Sequence, residues 1–340
     1  MNCSCNVEIR KEVIMPLPDG SKTSWEIARE RHSKELAQAK DAVKDPIINE
    51  VMTDIFMVPP RSVSAKAEIP TLEYPFFSLS KTPDKKIRKF IFPNGTIEII
   101  PGQYGMATIW DRDILLYLIG HQARRMDQQG MGKSKSLPGT SIVSNTDILR
   151  KGDPNDKAAR TIRFPVADYL AATKKNKGGR RYKCLYESLT RLLGTTIKTD
   201  FATGGVRQTR GFNLIESWEI IGRESENDLK KIVVEVTLSQ WTHNAIQNRE
   251  ILTISEEYFS ITSALKRRLY EIARKSCGNQ TSWKVGLELL RLRTGSQTEI
   301  RFFRREIRQI ADVNDIPQYR ILLDNETDMV TFIRRTSAIT

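Results

Sequence analysis

The sequence predicts an α+β fold in which a helix followed by a β-hairpin occurs twice, behind an N-terminal extension that is partly helical and partly disordered. Three observations predict it. Gly178 to Thr199 reads as loop, helix and strand, because Tyr182, Leu185, Leu189 and Leu192 recur at helical spacing before Gly194 and the β-prone Thr195, Thr196 and Ile197. The strand then turns back through Gly204 and Gly205 into Val206 to Ile215, a hairpin that carries Arg207 and Arg210. The plan returns near the C-terminus, where a helix from Thr298 to Ala311 precedes Tyr319, Ile321 and Leu323, the turn Asp324-Asn325-Glu326-Thr327-Asp328, and Val330, Phe332 and Ile333.

A helix docked by its apolar face and followed by a hairpin is the outline of a winged helix, and charge points the exposed side at an anionic partner. Over 340 residues, 54 Lys+Arg against 41 Asp+Glu leave a net charge of +13 and a pI near 9.6, a field suited to nucleic acid or an anionic surface. The surplus is local: residues 151–223 hold 15 Lys+Arg against 7 Asp+Glu, whereas residues 1–68 hold 10 against 11. No apolar run approaches the ~20 residues that span a bilayer, so the expectation is a soluble cytoplasmic protein without membrane contact. Cys3, Cys5, Cys184 and Cys277 form no disulfide framework, and a lone C-x-C lacks the partners of a metal site. No metal and no cofactor are expected.

In chain order, residues 1–20 lack a sustained period and read as mobile, and Ser24 caps a polar helical arm from Trp25 to Lys44 with only a thin apolar stripe. Pro59, Pro60, Arg61, Ser62 and Ser64 look like a linker, with a boundary near Ile69. Pro75, Phe76 and Phe77 open an aromatic stretch, and Ile87 to Phe92 pairs with Ile97 to Ile100 across Pro93-Asn94-Gly95. Asp111 is placed as the cap of a helix with Ile114, Leu115, Leu118 and Ile119 inward; His121 on it reads as a surface or packing residue. Residues 128–160, rich in Gly, Ser, Lys and Asp, read as a long loop. A short helix, Val166 to Thr173, should pack its Tyr169 and Leu170 on the Gly178 helix across a basic turn holding Lys174, Lys175, Lys177, Arg180 and Arg181. Strands then follow at Trp218 to Ile221 and Ile232 to Leu238, and a helix at Trp241 to Arg249.

In the second half Ser260 precedes a helix through Leu265, Leu269, Ile272 and Ala273, a shorter helix is expected from Trp283 to Leu292, and the third helix is the sharpest pattern in the chain. Arg301, Arg304, Arg305 and Arg308 fall at i, i+3, i+4 and i+7, while Ile300, Phe303, Ile307 and Ile310 fall opposite. Like charges at that spacing repel by a few tenths of a kcal/mol per pair, a cost that an anionic partner would remove.

PFFSLSKTPDKKIRKF at Pro75, MATIWDRDILLYL at Met106, FPVADYLAATKKNKGGRRYKCLYESLTRLLGTTIKT at Phe164 and IPQYRILLDNETDMVTFIRR at Ile316 resemble the replication initiator protein A family of bacterial plasmids. The resemblance spans about residues 70–335 and is densest from Phe164 to Thr199. It implies two tandem winged-helix domains that bind repeated origin sites (iterons), help to melt the origin and bring in host replication proteins, a helicase or an initiator, with a homodimer as one state of the chain. The expected layout is then an extension, arm and linker at 1–69, winged-helix domains at 70–248 and 249–335, and a tail at 336–340.

The partner expected is double-stranded origin DNA. Lys174, Lys175, Lys177 and Arg207 are assigned to phosphates, and Arg181, Lys183 and Arg191 to positions nearer the groove. Arg180, Arg210 and the four arginines of the third helix complete the expected DNA contacts. A repressor using the same helices is the alternative from another class. A nicking enzyme is disfavoured, because His32, His121 and His243 lie in separate segments without H-x-H or H-x-x-x-H spacing and no G-x-x-x-x-G-K-[ST] loop is present.

Overall fold

The fold is taken from a computed structural model that describes residues 64–93, 95–128, 157–175, 179–203, 206–221 and 232–335. The expected arm, most of the 128–160 loop, Cys3, Cys5 and the 336–340 tail lie outside them. Two hydrophobic cores organise the described chain.

The first core is built from the elements the aromatic and leucine patterns marked. Strands β2 (Arg88–Phe92) and β3 (Gly95–Ile100) form the hairpin expected at Pro93-Asn94-Gly95, and β3 continues onto β5 (Thr196–Thr203) and β6 (Val206–Asn213). All pairings are antiparallel, with Ile99 opposite Ile197, so alternate residues deliver Ile97, Ile99 and Ile197 to one buried face. Helix α2 (Arg112–Gln128) buries Ile114, Leu115, Leu118 and Ile119 against it, and α5 (Gly179–Gly194) buries Leu185, Leu189 and Leu192. Gly194 ends α5 where the chain passes Gly102; a Cβ on Gly102 would lie 2.9 Å from the Gly194 Cα, closer than side-chain carbons approach backbone. Between these come α3 (Lys157–Arg160), β4 (Thr161–Pro165) and α4 (Val166–Ala172). Strand β8 (Val233–Leu238) is central between β4 and β7 (Ile215–Ile221), and its run of Val233, Val234, Val236 and Leu238 is buried accordingly. Helix α6 (Gln240–Gln247) follows, capped by Ser239, whose hydroxyl accepts from the Thr242 N–H at 3.3 Å.

The second core lies around α7 (Ala264–Cys277), α8 (Leu287–Thr294), α9 (Ile300–Val313) and the sheet β10 (Ser282–Gly286), β12 (Met329–Arg334), β11 (Tyr319–Asp324), with β12 in the middle. Helix α7 follows Ser260 as expected and is capped by Ser263. Two expectations change. Asp111 does not cap α2 through its carboxylate, which instead accepts from the Thr108 N–H at 2.8 Å and from Arg191. Trp283 lies in β10 rather than in a helix, because Trp283-Lys284-Val285 alternates and pairs Trp283 with Phe332 of β12, their rings 5.6 Å apart. The hairpin β11–β12 was expected; its third strand was not.

Chain from both ends of the expected domain order meets in this region. β1 (Lys66–Glu68), which falls on the N-terminal side of Ile69, pairs with β9 (Ile251–Thr253), and the short helix α1 (Ile69–Glu73) packs on α7. A buried ionic cluster sits beneath α1. Arg112 at the start of α2 donates to Glu271 Oε2 of α7 at 2.8 Å, to the Thr71 carbonyl at 3.0 Å and to the Thr71 hydroxyl at 2.7 Å. Arg268 donates to the same Glu271 oxygen at 3.0 Å, and the Tyr258 hydroxyl donates to the other at 2.6 Å. Burial lowers the Arg268 pKa to about 10 despite Glu271, and burial with Glu271 beside it raises that of Tyr258 well above the phenolic range.

His121 packs its ring against Tyr117 with centroids 4.3 Å apart, which supports the packing reading of this residue. Burial, reinforced by the charge of Arg124, lowers its pKa to about 4. A histidine depressed on folding binds its proton more readily in the unfolded chain, so stability should fall as pH drops from about 6.5 towards about 4, by on the order of 2 kcal/mol. Urea melts at pH 7.5, 5.5 and 4.5 on wild type and His121→Gln test this. The wild-type decline should exceed the variant's, and parallel declines would assign the effect to other groups.

Candidate nucleic-acid interface

The basic turn joins α4 to α5. Helix α4 closes with the Thr173 N–H and hydroxyl donating to the Tyr169 carbonyl at 3.0 and 2.7 Å, after which Lys174 takes a left-handed φ of 54° and projects into solvent. Lys175 does the opposite: its ammonium lies 3.0 Å from Asp113 Oδ2 and donates to the Tyr169 hydroxyl at 2.7 Å. Burial opposes that charge, but Tyr169 and Asp113 outweigh it and raise the lysine pKa. Lys175 is thus a structural cation rather than the phosphate contact expected. Lys177 and the side chains of Arg180 and Arg181 lie outside what the structure describes.

On α5, Lys183 is 79% exposed, while Arg191 at the other end is only 15% exposed. Its guanidinium grips Asp111 through Nε at 2.8 Å and Nη2 at 2.7 Å, so the groove position expected for Arg191 is replaced by a bidentate tie to the start of α2. Tyr182, expected inward, is exposed in the first turn, as is Tyr186, which meets Trp218 edge to face at 5.3 Å. The hairpin keeps Arg207 and Arg210 exposed; Arg207 pairs across β5 and β6 with Asp200, Nε to Oδ1 at 2.8 Å, a surface pair that is easily exchanged for a phosphate.

The residues Asp111, Arg112 and Asp113 therefore form a hub. Asp111 holds α5, Arg112 holds α7 through Glu271, and Asp113 holds both Lys175 of the basic turn and Arg267 of α7, the latter at 2.6 Å. Arg267 further donates to the Ile261 carbonyl at 2.8 Å and lies over the rings of Trp110 and Tyr258 at 4.3 and 4.9 Å. Of these groups the sequence marks Asp111 only as a helix cap and Lys175 and Arg191 only as DNA contacts, and it gives Arg112, Asp113, Arg267 and Glu271 no role, although WDRD stands in the motif at Met106. The only signal was the density of charge at the start of an otherwise apolar helix.

Helix α9 presents its arginines as expected, but unequally. Phe303, Ile307 and Ile310 are buried, Ile300 packs at the edge, and the opposite side is open. Arg304 is drawn to the hairpin, its Nε donating to Asp328 Oδ1 at 2.8 Å and its Nη2 closing a second bond to the same carboxylate. Arg308 donates to Asn325 Oδ1 at 2.8 Å through Nη2. The hydrogen bonds from Arg304 hold the Asp328 carboxyl below its usual pKa, so it stays ionised and paired to α9. Arg301 and Arg305 remain exposed, the former beside Glu299 at 3.0 Å. Asn314, the left-handed C-cap of α9, donates to the Ile321 carbonyl at 2.9 Å and accepts from its N–H at 2.7 Å, which fixes β11 to the end of the helix. Phe302 and Gln309 share the open face, and no sequence expectation placed them there. Two adjacent phenylalanines cannot both face the core of one helix, and that spacing was the available clue.

Residues 66–321 match the family described as replication initiator protein A. The chain belongs to that family. It is also 33% identical over 289 residues to a protein of Wigglesworthia glossinidia brevipalpis named for replication, an alignment that covers 84% of this chain and 95% of the relative. Its fold resembles the crystal structure of domains 2 and 3 of RctB, with a TM-score of 0.51 and 12% identity over 77% of this chain and 95% of that one. The family match places this chain among replication initiators, as the motifs implied, and the likeness to the RctB domains shows a shared mixed helix-and-sheet fold. Among the described residues, no helix is long and apolar enough to cross a membrane.

Proposed function

We propose that this replication initiator binds repeated sites in a plasmid origin sequence-specifically, with α5 followed by β5–β6 and α9 followed by β11–β12 acting as two winged helices. The observation that carries this is α9: one face is wholly committed to a core, the hairpin is pinned to its C-terminus by Asn314, and Arg301, Arg305 and Arg308 line the remaining side. These three residues span about 60° of helix, well within a width that a major groove accepts, and arginine's planar fork suits guanine O6 and N7. Lys174, Lys183, Arg207 and Arg210 supply exposed cations on the first unit for phosphates. Opening of the origin and recruitment of a host helicase or initiator follow in this reading, with a homodimer as the alternative state of the chain and the cytoplasm as its place. The role is that of a binding protein without catalysis.

Single Arg→Lys variants titrated against a site that the full chain selects from random DNA, and against a scrambled duplex, at fixed salt test the assignment. Arg305→Lys should cost about 1–3 kcal/mol on the site and little on the scrambled duplex. Arg304→Lys should weaken both alike, because it loosens the hairpin. Equal losses on both duplexes at every position would make α9 a phosphate clamp and move recognition to α5. No loss anywhere would remove α9 from DNA.

A further inference from the structure

We propose that Phe302 reads the 5-methyl group of a thymine in the major groove, and so sets specificity at one base pair beside those read by arginine. The inference rests on α9 being the reading helix of the second unit. At about 100° per residue, Arg308, Arg301, Arg305, Gln309 and Phe302 follow one another around the open side of the helix, with Phe302 at the edge remote from the hairpin-bound Arg304. Phe302 is 39% exposed, while the next residue, Phe303, is fully buried. The exposed ring is held in place by its neighbours: the Arg301 guanidinium carbon lies 4.4 Å from the ring centroid and that of Arg305 5.7 Å.

This arrangement fits one ligand chemistry. The two guanidiniums that flank the ring are the exposed forks best placed for phosphate or guanine, so whatever meets the ring is polyanionic nearby and apolar at the point of contact. On the base edges of duplex DNA the apolar group is the thymine methyl, and phenylalanine is a side chain suited to it. A protein partner would meet the ring without needing the cations around it. Lipid would need a wider apolar patch than a single ring.

The test uses the full chain and a duplex selected by that chain from random DNA. Each thymidine of the site is replaced singly by deoxyuridine, which removes the methyl and nothing else. For wild type, one replacement should weaken binding about 4-fold, the value of one buried methyl-sized group. Phe302→Ala should bind thymidine and deoxyuridine duplexes equally at that position, with an unchanged thermal melt. Wild-type indifference to every replacement, alongside a site-specific loss in Arg305→Lys, would overturn the Phe302 assignment and leave DNA reading by α9 intact. Sensitivity to deoxyuridine that persists in Phe302→Ala would place the methyl against another residue and also overturn it. If neither deoxyuridine nor Arg305→Lys changes affinity, the reading of α9 itself fails.

Discussion

Glu271→Ala is expected to lower the unfolding free energy by about 3–5 kcal/mol, the cost of breaking a buried ion pair on one side. The carboxylate is 1% exposed and touches three buried groups at once: Arg112, Arg268 and the Tyr258 hydroxyl. Its removal leaves two guanidiniums facing each other, with only Glu68, whose own charge burial disfavours, acting on Arg112. Thr71 and the Arg293 carbonyl still accept from them, but as dipoles rather than charges. Arg268, whose pKa burial already lowers, has the least to hold its proton. Glu271→Gln, which keeps shape and most hydrogen bonds, should fall between wild type and alanine. Urea unfolding at constant m-value measures both. A loss below about 1 kcal/mol for alanine would mean that water enters the cluster and solvates the arginines. Because Arg112 belongs to α2 and Glu271 to α7, the same bond also ties the first core to the second.

That tie marks where sequence reasoning stopped. Helix α5 is legible because its leucines repeat at the helical period, and the three hairpins β2–β3, β5–β6 and β11–β12 because glycine or asparagine turns separate β-branched runs. The face of α9 was legible for the same reason. The pairing of charges was not: Arg112 and Glu271 are 159 positions apart, as are Arg191 and Asp111 by 80, and nothing local separates a buried arginine from a solvated one. Lys175 and Arg191 were read as DNA contacts on charge and position alone, whereas a carboxylate from the start of α2 claims each. Trp283 was read into a helix because a strand of five residues offers too few alternations to outweigh the leucines that follow it. The unequal fates of Arg301, Arg304, Arg305 and Arg308 likewise depend on Asn325 and Asp328, which arrive from the next hairpin.

Phe303→Ala should cost about 3–5 kcal/mol of stability and lose DNA binding together with folding. Phe303 is fully buried in the cluster that includes Ile307, Ile310, Ile321, Val330 and Phe332, so alanine leaves a cavity between α9 and its sheet. The neighbouring Phe302→Ala removes a ring of similar size from the open side and should change stability by no more than about 0.5 kcal/mol. The pair is a sensitive measure of how α9 is rotated, since one residue of register, about 100°, separates the core side from the arginine side. Urea midpoints for the two variants decide it. If both melt like wild type, α9 is not docked by the Phe303 face, and the assignment of Arg301 and Arg305 to DNA loses its basis. If both are strongly destabilised, Phe302 is buried by a contact outside the described residues and is unavailable to a base. A large loss at Phe303 alone fixes the orientation that puts the arginine forks, and the Phe302 ring beside them, where a groove can meet them.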